Sequence, residues 1–126
     1  MGQGSGSANL GVFFGVSILC LLALTKPTHG AIYTVGGSGG WTFNVNSWTN
    51  GKSFKAADIL AFNYVKSTHN VVAVSKEDYD SCSSTGGAKV YQSGKDRIKL
   101  SKGSNYFICT LPGHCQSGMK IAITAS

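Results

Sequence analysis

The sequence predicts an all-β domain, a sandwich or small barrel carrying one short helix, and two features of the chain lead to this. Of 126 residues 17 are glycine and only 13% are charged, a composition that suits short strands joined by tight turns better than a helical bundle. Runs with strand composition also recur along the chain, each bounded by turn-forming residues. The length allows one ordinary domain and a short appendage, and no internal repeat is evident.

Taken in order, Ala31–Val35 (AIYTV) reads as a first strand and stops at the glycine-rich turn Gly36–Gly40. Asp58–Val65 (DILAFNYV) and Asn70–Val74 (NVVAV) follow, the latter rich in β-branched residues. Ser75 then caps a short helix over Ser75–Cys82, with Asp78 in the place of the capping-box acid. Beyond the turn at Gly86 and Gly87, Lys95–Leu100, Ser104–Cys109 and Met119–Thr124 read as further strands.

The N-terminal appendage has a different character. Leu10–Leu24 is uncharged and strongly apolar, about the length of a signal-peptide core and short of the roughly 20 residues a membrane span needs. Thr28 and Gly30 are small residues suitably placed for cleavage before Ala31, so residues 1–30 are expected to be a signal peptide and residues 31–126 the mature domain. The segment before Leu10 has no Lys or Arg, which departs from the usual leader pattern. At the other end, the run up to Ser126 carries no polar spacer and hydrophobic tail, so no lipid anchor is expected and the mature product should be soluble and extracellular.

The formal charge of +6 comes from 11 basic and 5 acidic residues. Such an excess suits acidic polymers or anionic partners, but the lysines are spread along the chain, as on a solvated basic surface. Secretion weakens the nucleic-acid reading, and no nucleic-acid partner is expected. No N-x-Ser/Thr glycosylation acceptor occurs in the mature chain.

Assigning Cys20 to the leader leaves Cys82, Cys109 and Cys115, an odd number in an oxidising compartment. One disulfide at most can form within the chain, and a metal ligand is the reading that protects the third thiol from oxidation. Counting leaves open which cysteine that is. Cys109, His114 and Met119 share one stretch, SNYFICTLPGHCQSGMKIAIT, and thiolate, imidazole and thioether together favour copper. A trigonal His₂Cys site needs a second histidine; His29 lies in the leader, so His69 is selected by elimination. Structural zinc on His69, Cys109, His114 and Cys115 has suitable ligand types but lacks the usual close-spaced pairs. Cys109 with a histidine also has the residue types of a nucleophilic site, without a third-residue signature in its favour.

The run Tyr106–Ile121 (YFICTLPGHCQSGMKI), the opening AIYTVGGSGGW and the segment THNVV closely resemble the plantacyanins, the basic blue proteins among the phytocyanins. The resemblance extends over essentially the whole mature chain. It implies a Greek-key β-sandwich of cupredoxin type, one copper ion on His69, Cys109, His114 and axial Met119, and a Cys82–Cys115 disulfide. It also implies that Asn70 ties the ligand loops together. Methionine rather than glutamine in the axial place separates this chain from stellacyanin-like relatives.

The expected activity is one-electron transfer by a monomer that is not an enzyme, in the plant apoplast or cell wall, to an unidentified redox partner docking near His114. Acidic wall polymers are a further expected contact. A different class, an extracellular signalling or interaction protein in plant reproduction with structural copper, is the alternative. A copper oxidase is a third reading, one that would need access for an exogenous ligand.

Overall fold

The computed structural model describes residues 30–126, so the expected leader lies outside the described residues apart from Gly30. Among the described residues there are seven strands and one short α-helix. The strands are β1 (Ile32–Thr34), β2 (Ile59–Asn63), β3 (Val71–Val74), β4 (Lys89–Tyr91), β5 (Lys95–Lys99), β6 (Gly103–Ile108) and β7 (Lys120–Ala125). Helix α1 (Lys76–Ser81) lies between β3 and β4. No helix among the described residues is long and apolar enough to cross a membrane.

The strands form two sheets ordered β1-β2-β5 and β4-β3-β6-β7. Strand β1 runs parallel to β2, and β2 runs antiparallel to β5 with Leu60 opposite Ile98. In the second sheet every pairing is antiparallel, with Val72 opposite both Val90 and Ile108, and Phe107 opposite Ile121.

Alternation along the strands decides which side chains fill the space between the sheets. Strand β7 buries Ile121, Ile123 and Ala125 and exposes Ala122 and Thr124, while β5 exposes Lys95, Arg97 and Lys99. The inner faces supply Leu60 and Phe62 from one sheet and Val71, Phe107 and Ile121 from the other. Trp41 closes one side with its ring edge-on to Phe62, centroids 5.0 Å apart.

Strand β3 is covered on both faces, which is why its sequence reads as a continuous apolar run rather than an alternating one. Val71 faces the sandwich core; Val72 joins Ile108 and Cys115 in a second cluster packed by Tyr79 and Cys82 of the α1 region. The Cys82–Cys115 disulfide, with Cα atoms 5.6 Å apart, fastens the end of α1 to the loop before β7.

Several sequence expectations are refined. Strand β4 was not anticipated, because its three residues, Lys-Val-Tyr, are too few to show a period. Asp58, expected to open the second strand, precedes it as a turn anchor whose buried carboxylate accepts from Ala31 N at 3.0 Å and Lys55 N at 2.8 Å. Ser75 does cap α1, accepting from Asp78 N at 3.2 Å. Asp78 does not return the bond. Cys82 ends the helix at φ 55°, in the left-handed region, and the following loop brings Thr85 N and Oγ1 to the Asp78 carboxylate, each at 2.7 Å. These bonds hold the Asp78 carboxyl below its ordinary pKa.

The disulfide closes a separation of 33 residues, for which chain entropy gives about 4 kcal/mol. Replacing Cys82 and Cys115 together by alanine is expected to lower the unfolding free energy of the metal-free protein by roughly 2–4 kcal/mol in a urea titration. An unchanged midpoint would show that the link adds nothing to the folded state.

Candidate metal centre

Two segments converge at one end of the sandwich. His69 and Asn70 directly precede β3, and Cys109 directly follows β6, so adjacent antiparallel strands carry both segments to the same end. The chain then loops out from Thr110 and folds back. His114 N donates to Leu111 O at 3.1 Å, Met119 N to His114 O at 3.1 Å, and Cys109 N to Met119 O at 3.1 Å. These backbone bonds bring the middle and the end of the loop back beside its start.

His69, Cys109 and His114 offer ligand atoms that all lie within 4.8 Å of one another. His69 Nδ1 stands 3.0 Å from His114 Nδ1, which is 3.4 Å from Cys109 Sγ. Bonds from a first-row divalent ion to imidazole are about 2.0 Å long, so two such nitrogens on one ion stand roughly 3 Å apart. The spacing and the donor set of two imidazoles and one thiol therefore fit a copper ion. Met119 is fully buried in the same apolar cluster as Cys109, tied by its backbone to both Cys109 and His114. Cys115 is in the disulfide and, among the described residues, Cys109 is the free, buried cysteine, so the zinc set that needed a Cys115 thiol is ruled out.

Asn70 joins the two segments directly. It is buried, its Nδ2 donates to Thr110 Oγ1 at 2.8 Å, and its Oδ1 accepts from Thr110 N at 2.9 Å. Its backbone carbonyl accepts from Trp41 Nε1 at 2.8 Å. The ring of Tyr64 packs near His69, centroids 6.2 Å apart, and its hydroxyl donates to the buried Asp96 carboxylate. Burial first, and then this bond, push the Tyr64 pKa up to about 12, so the phenol stays protonated. Among the described residues no buried side-chain polar atom lacks a partner.

Sequence reasoning missed Thr110, Trp41, Tyr64 and Phe43 as neighbours of the centre. The Phe43 ring lies 4.8 Å from that of His114 and 5.6 Å from that of His69, centroid to centroid. Trp41 had a partial signal, since it closes the opening motif AIYTVGGSGGW; Phe43 sits in an irregular turn where no hydrophobic period marks it.

Comparison with known proteins agrees with this geometry. The plastocyanin-like domain family matches residues 41–119. A chemocyanin of Lilium longiflorum is 49% identical over 126 residues, covering 100% of both chains. The solved structure of cucumber basic protein, a blue copper protein, is 62% identical with a TM-score of 0.75, covering 76% of this chain and 100% of its own. Spinach plantacyanin is 57% identical with a TM-score of 0.70, covering 76% and 100%. The chain belongs to the plastocyanin-like family of blue copper proteins, with a cupredoxin-like sandwich and a site for one copper ion. Within that family it is plantacyanin-like, similar to the basic blue proteins.

The His69 imidazole has its pKa lowered from the ordinary 6.5, by burial first and by the neighbouring His114 second. The folded, metal-free protein thus binds this proton less tightly than the unfolded chain does. Its contribution to stability is full above the ordinary histidine range and falls as pH drops through 6.5 towards the folded-state value. Proton resonance of the His69 ring, with melting temperature followed from about pH 8 to pH 5, checks this. A His69 midpoint at or above the ordinary value would contradict it.

Proposed function

We propose that this protein is a secreted one-electron carrier in which His69, Cys109, His114 and Met119 hold copper, electrons pass at the imidazole end of the sandwich, and no bond is made or broken. Copper held by this donor set supplies one-electron exchange between Cu(I) and Cu(II). The observation that carries the reading is the division of exposure within the donor set. Cys109 and Met119 are fully buried, whereas His69 and His114 are half-buried and reach the surface. The imidazoles are therefore the route between a dry interior and a partner outside.

Each residue has a distinct part. Cys109 and Met119 provide soft donors from inside the core, where water is excluded. His114 presents its edge beside Leu111, half-buried, and Pro112, exposed, which form the docking area for a redox partner. Asn70 and Thr110 pin the two ligand segments, so little has to move when the charge of the centre changes. Four protein donors leave no evident place for a substrate, which supports transfer rather than catalysis.

An extracellular setting is supported by the leader-like start and by the Cys82–Cys115 disulfide, which suits an oxidising compartment. Nine lysines are dispersed along the expected mature chain and give it the charge to approach anionic partners and acidic wall polymers by long-range attraction.

Weak redox encounters bury little area, so one carboxylate in the docking area should matter. Leu111→Glu is expected to slow electron self-exchange while leaving the visible spectrum and reduction potential unchanged. Reaction of the wild-type protein with an anionic oxidant should slow as salt rises, because screening removes the attraction of the lysines. Unaltered self-exchange in Leu111→Glu would remove the support for transfer at the His114 end.

A further inference from the structure

The segment from Trp41 to Trp48 contributes no donor to the centre, yet it is fastened to both ligand segments. On one side Trp41 bonds the carbonyl of Asn70, next to His69. On the other, Asn44 N donates to Ser117 O at 3.0 Å and Asn46 N to Gly118 O at 3.1 Å, within the loop that joins His114 to Met119. The contact is close: Gly118 has φ +83°, and a Cβ there would stand 2.9 Å from Asn46 Oδ1 and 3.0 Å from Asn44 Cα. Asn44 itself lies in the left-handed region at φ 62°, a conformation that asparagine tolerates better than most residues.

Between these fastenings the chain projects Phe43. Its ring meets that of His114 at 69° and that of His69 at 89°, and the two imidazoles meet each other at 68° with centroids 4.9 Å apart. All three pairs are edge-on, so the rings form a closed triangle. Aromatic edges and faces carry opposite partial charge, which makes such contacts directional as well as cohesive. Core packing does not account for this side chain. Phe43 is 43% exposed and belongs to neither of the buried apolar clusters among the described residues.

We propose that Phe43 is a positioning residue of the copper centre, fixing the mutual orientation of the His69 and His114 imidazoles. It does so from outside the donor set. The fastenings to Asn70, Ser117 and Gly118 transmit any displacement of either ligand segment to the ring. The inference rests on His69 and His114 being ligands.

The test compares wild type with Phe43→Ala, Phe43→Leu and Phe43→Tyr. In the copper-free proteins it follows the ring-proton resonances of His69 and His114 and the unfolding midpoint. In the copper-loaded proteins it follows the rate of copper loss to a chelator and the width of the electron-spin-resonance signal. Phe43→Ala and Phe43→Leu should unfold near the wild-type midpoint, yet show imidazole resonances broadened by ring motion, copper loss roughly tenfold faster, and a broader copper signal. Phe43→Tyr, which keeps the ring, should restore wild-type behaviour. Wild-type imidazole line widths and loss rate in Phe43→Ala would overturn the proposal, as would faster loss that only tracks a matching fall in unfolding midpoint. The ligand assignment is read separately, from the colour of the copper-loaded wild type, while the imidazole line widths of the copper-free proteins report whether Phe43 fixes the two rings.

Discussion

The double hydrogen bond between the Asn70 side chain and Thr110 is the contact on which the rest of the centre depends. His69 precedes Asn70 and Cys109 precedes Thr110, so one side-chain amide sets how closely the first two donor segments approach. The residue is buried, and its two bonds to Thr110 leave neither the amide nitrogen nor the amide oxygen without a partner. Losing a buried polar partner typically costs 1–3 kcal/mol. Everything further out follows that alignment, including the return of the loop through His114 and Met119 and the seating of Trp41 on the Asn70 carbonyl.

Rigidity around the centre comes from several kinds of interaction that converge there. The disulfide holds the loop at Cys115, next to His114, and fastens it to α1. The sandwich core holds Cys109 and Met119. On the open side, the Tyr64–Asp96 pair belongs to a satisfied polar network in which Asp96 Oδ1 also accepts from Ser93 N at 3.1 Å. A centre that changes charge without changing partners benefits from such fixed surroundings, because little reorganisation is needed at each transfer.

How much of this was legible in the sequence follows from where each signal lies. Cys109, His114 and Met119 share one loop, so their chemistry is visible as a local pattern, and His69 could be reached because few histidines compete with it. Strand β7 alternates strictly and announces its buried face, whereas β5 alternates in burial but hides one inward position behind Asp96. Strand β3 does not alternate, because both of its faces are covered. The side chains that surround the donors were hidden for another reason. Thr110, Tyr64 and Phe43 act through contacts made across the fold, and a threonine or an aromatic in a turn has no period to betray it. Asp78 illustrates the limit of a local motif, since its carboxylate turned to Thr85 once the chain beyond Cys82 folded back.

Cys109 thiolate and two imidazoles meet at one copper ion, and the most direct measurement of this is the absorption and electron-spin-resonance spectrum of the copper-loaded protein beside its Cys109→Ser variant. The wild type should show an intense visible band and a compressed copper hyperfine pattern, both lost in the variant while copper remains bound to the histidines. A wild type that binds copper without colour, or a Cys109→Ser protein that stays blue, would contradict it.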